Sequence, residues 1–359
     1  MSKQAGENPK NLNINTLAKL AQVSKGTVSK ALNGRPGVGE KTRARILELA
    51  TQLDFRPNSS AQALVHKRTQ NIGVLIPHEA GQTLTGPYWP RIITSIAASA
   101  ATADYNVLLL TPKTEGDIES AYRIVLQTRR VDGLIIGSEL LDTRSISRLV
   151  VQELPFVLIG RNPGFADQYV DVDNRSAAYE TGRYMARHGF RRLGLLSGPV
   201  EYPYTGLRIE GFRGGVHDFG GELIAVESAE TYDTVHVRDA VRRMLSHGGV
   251  DGLFIASGGD FMFDTLDELR VNGCDPKSIG LTVFDDYRYI DFIEPKLTAV
   301  RQPLEAMGRA ATTMLFSLMA GESDVVTQVT LPATIVARES CGETGSRLER
   351  PKPATGVSC

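Results

Sequence analysis

Cysteine is scarce in this chain of 359 residues: Cys274, Cys341 and Cys359 are the only three. An odd number without close spacing argues against both a disulfide framework and a thiolate zinc site. The six histidines show no metal-ligand spacing, so neither a metal nor another cofactor is expected. No apolar run reaches the length needed to span a bilayer. The polar stretch from Met1 to Asn15 lacks the apolar segment of a secretory signal, so a cytoplasmic location with reduced thiols is expected. Nucleophile-elbow, phosphate-loop and dinucleotide-binding fingerprints are missing too, and the chain is not expected to be an enzyme.

What is present is a division of charge. Residues 1–70 carry twelve lysines and arginines against four acids, a charge of +8, whereas the remainder is −9. A basic head on an acidic body points to a polyanionic partner for the head. The length suits a small domain joined to a large two-lobed one.

Residues 1–12 are polar and read as disordered. From 13 to 57 the apolar spacing predicts three short helices. Asn13 can cap the first, whose buried positions include Ile14, Leu17 and Ala18, and Ser24 can cap a second over Lys25–Leu32 that Asn33-Gly34 ends. The third runs from about Glu40 to Leu53. Asn58 can cap a further short helix, Ser59 to Val65, followed by a basic link to residue 70. Two helices across a tight turn, the second flanked by basic residues, make a helix-turn-helix whose second helix fits the major groove. Its early side chains would be Lys25, Gly26, Thr27, Ser29 and Lys30. Lys25 suits guanine O6 and N7, and the hydroxyls of Ser24, Thr27 and Ser29 suit phosphates or bases. Asn13, Asn33 and Asn58, at helix ends, are counted with them.

From Asn71 short apolar runs alternate with amphipathic stretches. Ile72–Ile76, Val107–Leu110, Gly133–Ile136, Phe156–Ile159, Leu193–Leu196, Leu223–Val226, Gly252–Ile255 and Gly280–Phe284 read as strands, with helices such as Tyr88–Thr102, Arg175–His188 and Thr234–His247 between them. This predicts βαβ units in two parallel sheets, hence two α/β lobes over 71–340, before a disordered tail, 341–359. Ligands of such sheets sit at the carboxyl ends of the strands.

The segment Val23-Ser24, Thr27-Val28-Ser29 and Leu32-Asn33-Gly34, with Thr42-Arg43-Ala44-Arg45-Ile46 and Phe55-Arg56-Pro57-Asn58, resembles the N-terminal domain of the lac-repressor (LacI/GalR) family of bacterial transcription regulators. The resemblance implies that Asn58–Val65 is a hinge helix that folds on the operator and, paired across a homodimer, pushes Leu64 beside Ala61 into the minor groove of a palindrome. It implies a body with the fold of periplasmic sugar-binding proteins, its lobes joined by three crossovers, placed near Gln168, Leu297 and Val329. It further implies a small-molecule effector, a sugar by class, that controls operator affinity of a repressor of carbohydrate genes. Tyr88 and Trp89 stand where relatives place an aromatic pair, and Arg208 and Asp285 where they hold effector oxygens. Arg161 follows a strand end, and Asp260 aligns with a further acid. Asp171 and Asn174 are read as shaping the hinge.

The chain departs from the family pattern at Gln22, where glycine is usual in a turn needing positive φ, and at Gly26, which has no side chain to read a base. It departs again at Gly39, where a serine cap is common, and at Ala256-Ser257-Gly258-Gly259, which has an extra glycine. Two other classes compete. A periplasmic binding protein would share the body, and a sugar hydrolase would need two facing carboxylates, for which Asp285, Asp286, Asp260 and Glu79 offer themselves. The tail lacks the leucine heptad of tetrameric relatives, so a dimer is expected.

Overall fold

The computed structural model describes residues 13–32, 34–53, 55, 68–76, 86–112, 118–128, 130–137, 143–162, 164 and 167–342. The expectations for residues 1–12, for Asn33, for the hinge helix with Asn58, Ala61 and Leu64, for Glu79 and for 343–359 lie outside these. The chain divides after Gln70 into two compact units. No helix among the described residues is long and apolar enough to cross a membrane.

The first unit contains α1 (Ile14–Leu20), α2 (Lys25–Leu32) and α3 (Glu40–Gln52). Asn13 Oδ1 accepts from the backbone N–H of Asn15 at 2.9 Å and of Thr16 at 3.1 Å, which satisfies amides that no helical carbonyl reaches. Ser24 Oγ accepts from Thr27 N at 3.1 Å in the same way. Leu17, Val28 and Ile46, one from each helix, are wholly buried and close on Ala18, Ala21, Ala31, Ala50 and Phe55. Small residues at these contacts let three short helices share one core. Gln22 takes φ 51, so the turn does require the left-handed conformation for which glycine is suited; a side chain there costs about 1 kcal/mol. Two basic residues of α3 serve the fold. Arg45 Nη2 donates to Ala21 O at 2.6 Å, and Arg43 donates to Ala31 O at 3.1 Å and Arg35 O at 2.6 Å. They place charged donors on carbonyls at the ends of α1 and α2, where the helix dipole favours a cation.

In the second unit, one lobe begins with β1 (Asn71–Leu75), α4 (Tyr88–Ala101), β2 (Asn106–Leu110), α5 (Ile118–Thr128), β3 (Gly133–Gly137), α6 (Thr143–Val151), β4 (Phe156–Ile159) and β5 (Tyr169–Val172). The other follows with α7 (Asn174–Arg187), β6 (Arg192–Ser197), α8 (Pro203–Asp218), β7 (Glu222–Ser228), α9 (Thr234–Ser246), β8 (Gly252–Ile255), α10 (Asp260–Val271), β9 (Gly280–Phe284) and β10 (Thr298–Arg301). The chain then returns through α11 (Leu304–Ala320) and β11 (Gln328–Leu331) to the first lobe and ends its last strand, β12 (Thr334–Val336), in the second. The sheet orders are β11-β5-β4-β3-β1-β2 and β12-β10-β9-β8-β6-β7. Every pairing is parallel except β10 with β12.

The chain therefore changes lobe at Asp173, at Gln302-Pro303 and at Pro332-Ala333, each a few residues beyond the expected position. Strands β5, β10, β11 and β12 are not among the expected ones; β5 interleaves an aspartate with its apolar residues, and β11 and β12 are half-exposed edge strands. The body also extends past its expected end at residue 340. Cys341 is 1% exposed and sits against Leu281 O and Thr282 Oγ1, inside the second lobe.

Helices α7 and α8 meet backbone to backbone. A Cβ on Gly211 would lie 2.1 Å from Arg175 O, and one on Gly215 would lie 2.0 Å from Tyr179 O. Only glycine permits this approach, and it brings the start of α7 beside the middle of α8. Gly215→Ala is expected to force the helices apart and destabilise the second unit by about 1–3 kcal/mol, checked by urea unfolding of the intact chain. In the first unit, Gln22→Gly is expected to relieve about 1 kcal/mol, read as slower hydrogen exchange of α1–α3 amides.

Candidate functional site

The first unit presents the start of α2. Lys25, Gly26 and Lys30 are exposed, and Thr27 and Ser29 are half-buried, so the solvent-facing side of α2 carries two lysines without an ion-pair partner among the described residues, with hydroxyls near them. The hydroxyls of Ser24 and Thr27 lie 2.8 Å apart and are already engaged in capping. Asn13 is likewise committed to the N-terminus of α1. Lys25 and Lys30 are thus the long side chains best placed to reach a polyanion from α2.

The second unit has a cleft of about 300 Å³ at the carboxyl ends of the strands of both sheets, toward the small end of ligand-pocket sizes. Five of the six expected effector residues, Tyr88, Trp89, Arg161, Arg208 and Asp285, line it. Trp89 does so from within the core, being 3% exposed, and it meets Tyr88 edge-on at 5.5 Å. Asp260 is the sixth, and the structure does not bring it to the cleft. It is exposed in the first turn of α10, because Gly259 takes φ 66 and turns the chain just before it. The backbone of Ser257, Gly258 and Gly259 lines the wall instead. The extra glycine there has a physical reason: a Cβ on Gly258 would stand 2.8 Å from Asp285 Oδ2.

Arg208 is the most constrained of these side chains. It rises from α8 and is 6% exposed. Its Nε donates to Asn174 Oδ1 at 2.8 Å and its Nη1 to Ala256 O at 2.7 Å. Its guanidinium lies 3.5 Å from the centre of the Phe284 ring, with the Tyr204 ring on it at 4.6 Å. Nη2 has no partner among the described residues and belongs to a group that lines the cleft. The close approach of α7 and α8 sets the distance from Arg208 to Asn174.

Asp285 takes φ 85 and receives Gln302 Nε2 on Oδ1. Burial pushes its carboxyl up from the usual range, and the Arg208 guanidinium opposes this. Asp286, its neighbour, is drawn away into ion pairs with Arg301 at 2.5 Å and Arg338 at 2.7 Å. Of Asp285, Asp286 and Asp260, the described acids considered for hydrolysis, Asp285 alone lines the cleft.

Sequence reasoning missed several residues. Tyr202 and Tyr204 stack at 5.4 Å, the hydroxyls of Tyr204 and Tyr232 lie 2.5 Å apart, and all three line the cleft. The Pro203-Tyr204 start of α8 was a readable signal, since it follows a strand end. Asp171 also lines the cleft, beside Arg161, whose Nε is 3.6 Å from Asp171 Oδ2. Its place in the family-like stretch Val170–Asn174 made it read as shaping the hinge rather than touching ligand. Burial pushes the Asp171 carboxyl up to about 6, opposed by the Val172 N–H and by Arg161 and Arg208. A carboxyl raised on folding is protonated more readily in the folded chain, so its cost to stability grows between about pH 4 and 6 and is full above that. Asp171→Asn is therefore expected to raise the stability of the body at pH 7.5 by on the order of 1 kcal/mol, with the gain vanishing near pH 4. Thermal melts across that range check it.

The sequence matches the model for bacterial regulatory proteins of the lacI family over residues 13–58 and that for periplasmic binding proteins and the sugar binding domain of the LacI family over residues 69–339. The HTH-type transcriptional regulator AglR of Rhizobium meliloti (strain 1021) is 28% identical over 357 residues, 96% of this chain and 99% of that protein. Among solved structures, a transcriptional regulator CelR–cellobiose complex is 26% identical with a TM-score of 0.69, covering 92% of this chain and 100% of the other. The lac repressor dimer bound to operator and the anti-inducer ONPF is 21% identical, with a TM-score of 0.80 over 92% of this chain and 99% of the other, a likeness of fold. A helix-turn-helix, two crossover-linked lobes and matches that together span residues 13–58 and 69–339 place this chain in the LacI family of bacterial regulatory proteins.

Proposed function

We propose that this chain is a cytoplasmic, homodimeric repressor of genes for carbohydrate uptake or catabolism, and that a neutral sugar in the cleft releases it from a palindromic operator. The observation that carries the ligand class is the cleft wall itself. It sets Arg208 and Asp285, groups that bond hydroxyls, among the rings of Tyr88, Trp89, Tyr204 and Tyr232, which suit the apolar faces of a sugar. A relative of known structure holds cellobiose, which supports the same class. The DNA partner follows from the exposed lysines of α2 and from membership of a family of DNA-binding regulators. A two-fold dimer meets an inverted-repeat operator with the same surface twice. The relatives named are regulators, and the chain is proposed to release its ligand chemically unchanged.

Gel shift with DNA from upstream of the chain's own gene tests this. A salt-sensitive complex with a palindrome is expected, dissociated by a neutral sugar that is recovered intact. Lys25→Ala is expected to weaken the complex by about 10-fold. Absence of any salt-sensitive complex with a palindrome, or hydrolysis of the sugar, would count against the reading. Light scattering is expected to give a dimer, and a tetramer would contradict that part.

A further inference from the structure

The cleft wall contains carboxylate and amide oxygens that accept no hydrogen bond from any described residue. Asp171 is 6% exposed and lines the wall. Its Oδ1 accepts from Val172 N at 2.8 Å and Asn174 Nδ2 at 3.4 Å. Its Oδ2 accepts no hydrogen bond from any described residue, and the nearest charge is Arg161 Nε at 3.6 Å, beyond hydrogen-bond distance. Gln302 is also 6% exposed and lines the wall; its Nε2 is given to Asp285, and its Oε1 is buried without a donor. A buried acceptor without a donor loses about 1–3 kcal/mol relative to water. Gln302 Oε1 is such an atom, and Asp171 Oδ2 on the same wall has only the ion pair with Arg161, so the wall suits an occupant that donates.

Position adds a second argument. Asp171 projects from β5 of the first lobe, whereas Asp285 follows β9 of the second. The two carboxylates therefore grip from opposite lobes. Asp171 is also two residues from the first crossover, and Asn174, which it holds, is the residue that fixes Arg208 Nε. A ligand bond at Asp171 Oδ2 is thus one hydrogen bond from the crossover and two from Arg208.

The charges in the wall weigh on ligand class. Arg161 and Arg208 stand against Asp171 and Asp285, so the lining is balanced. Arg208 has already spent two of its nitrogens on Asn174 and Ala256. An anionic ligand would meet two carboxylates and few uncommitted donors, whereas a neutral polyol offers hydroxyl protons to Asp171, Asp285 and Gln302 together. We infer that Asp171 is a ligand-contacting residue: its Oδ2 accepts a hydroxyl of a neutral sugar from the first lobe, and its charge sets the preference for neutral over anionic sugars. This rests on the sugar reading of the cleft. The cost that the buried, ionised Asp171 imposes on stability fits a residue retained for binding rather than for folding.

Isothermal titration of the intact chain at pH 7.5 tests it, with glucose, galactose, maltose, sucrose and cellobiose as neutral probes and glucose 6-phosphate and gluconate as anionic ones. The wild-type chain is expected to bind at least one neutral probe, and more tightly than either anion. Asp171→Asn preserves shape and an acceptor but removes the charge; it is expected to lose 10-fold or more in affinity for that neutral probe, with a thermal midpoint no lower than wild type. Asp171→Ser serves in its place if the asparagine variant melts lower. Equal affinity in a folded variant would overturn the assignment of Asp171 and leave the sugar reading standing. Tighter binding of an anion by the wild type would overturn the stated preference. Binding of no neutral probe would overturn the sugar reading and the inference together.

Discussion

Arg208 is the side chain on which the geometry of the cleft depends. It bonds to Asn174 at the first crossover and to Ala256 O beyond β8, and it sits over the Phe284 ring, 3.5 Å from its centre. A guanidinium fits all three at once because it is planar, donates along fixed directions and has a weakly hydrated face. Its placement depends on glycine, because α8 approaches α7 so closely that a Cβ at Gly211 or Gly215 would meet carbonyl oxygen near 2 Å. Sequence, through a row of missing side chains, thus sets a helix spacing, and that spacing sets a hydrogen bond beside the hinge.

The polar groups around Arg208 form a line that crosses from one lobe to the other. Arg161 and Asp171 lie in the first lobe, Asn174 begins the second just past the crossover, and Arg208 and Ala256 continue within it. A ligand that bonds Arg208, Asp285 and Asp171 joins both lobes across three short crossovers. On the proposed reading this is how binding changes the relation between lobes, and a device of this kind needs differential affinity between two arrangements rather than any contact with DNA.

Much of this was legible beforehand. The caps Asn13 and Ser24 and the apolar spacing of Leu17, Val28 and Ile46 placed the head helices, because short helices have few ways to hide their apolar faces. Continuous apolar runs marked the central strands. Residues whose function depends on distant partners were less readable. Arg43 and Arg45 counted toward the basic charge of the head, yet they reach carbonyls at the ends of α2 and α1. Asp260 aligned with a cleft acid, but the positive φ of Gly259 carries it to the surface. Asp171 was read as shaping the hinge because β5 itself was not legible, and a four-residue strand does not say which side chain meets a cavity formed with another lobe.

The central claim is that the cleft and the DNA-binding head share one equilibrium. Its most direct test is the dissociation constant of the releasing sugar, measured by titration of the intact chain first alone and then saturated with operator. Linkage requires that operator weaken sugar binding by the same factor by which sugar weakens operator binding. The account predicts a sugar affinity lowered at least 5-fold by operator, at the low end of about 5- to 150-fold for such couplings. An identical sugar affinity with and without operator would contradict it.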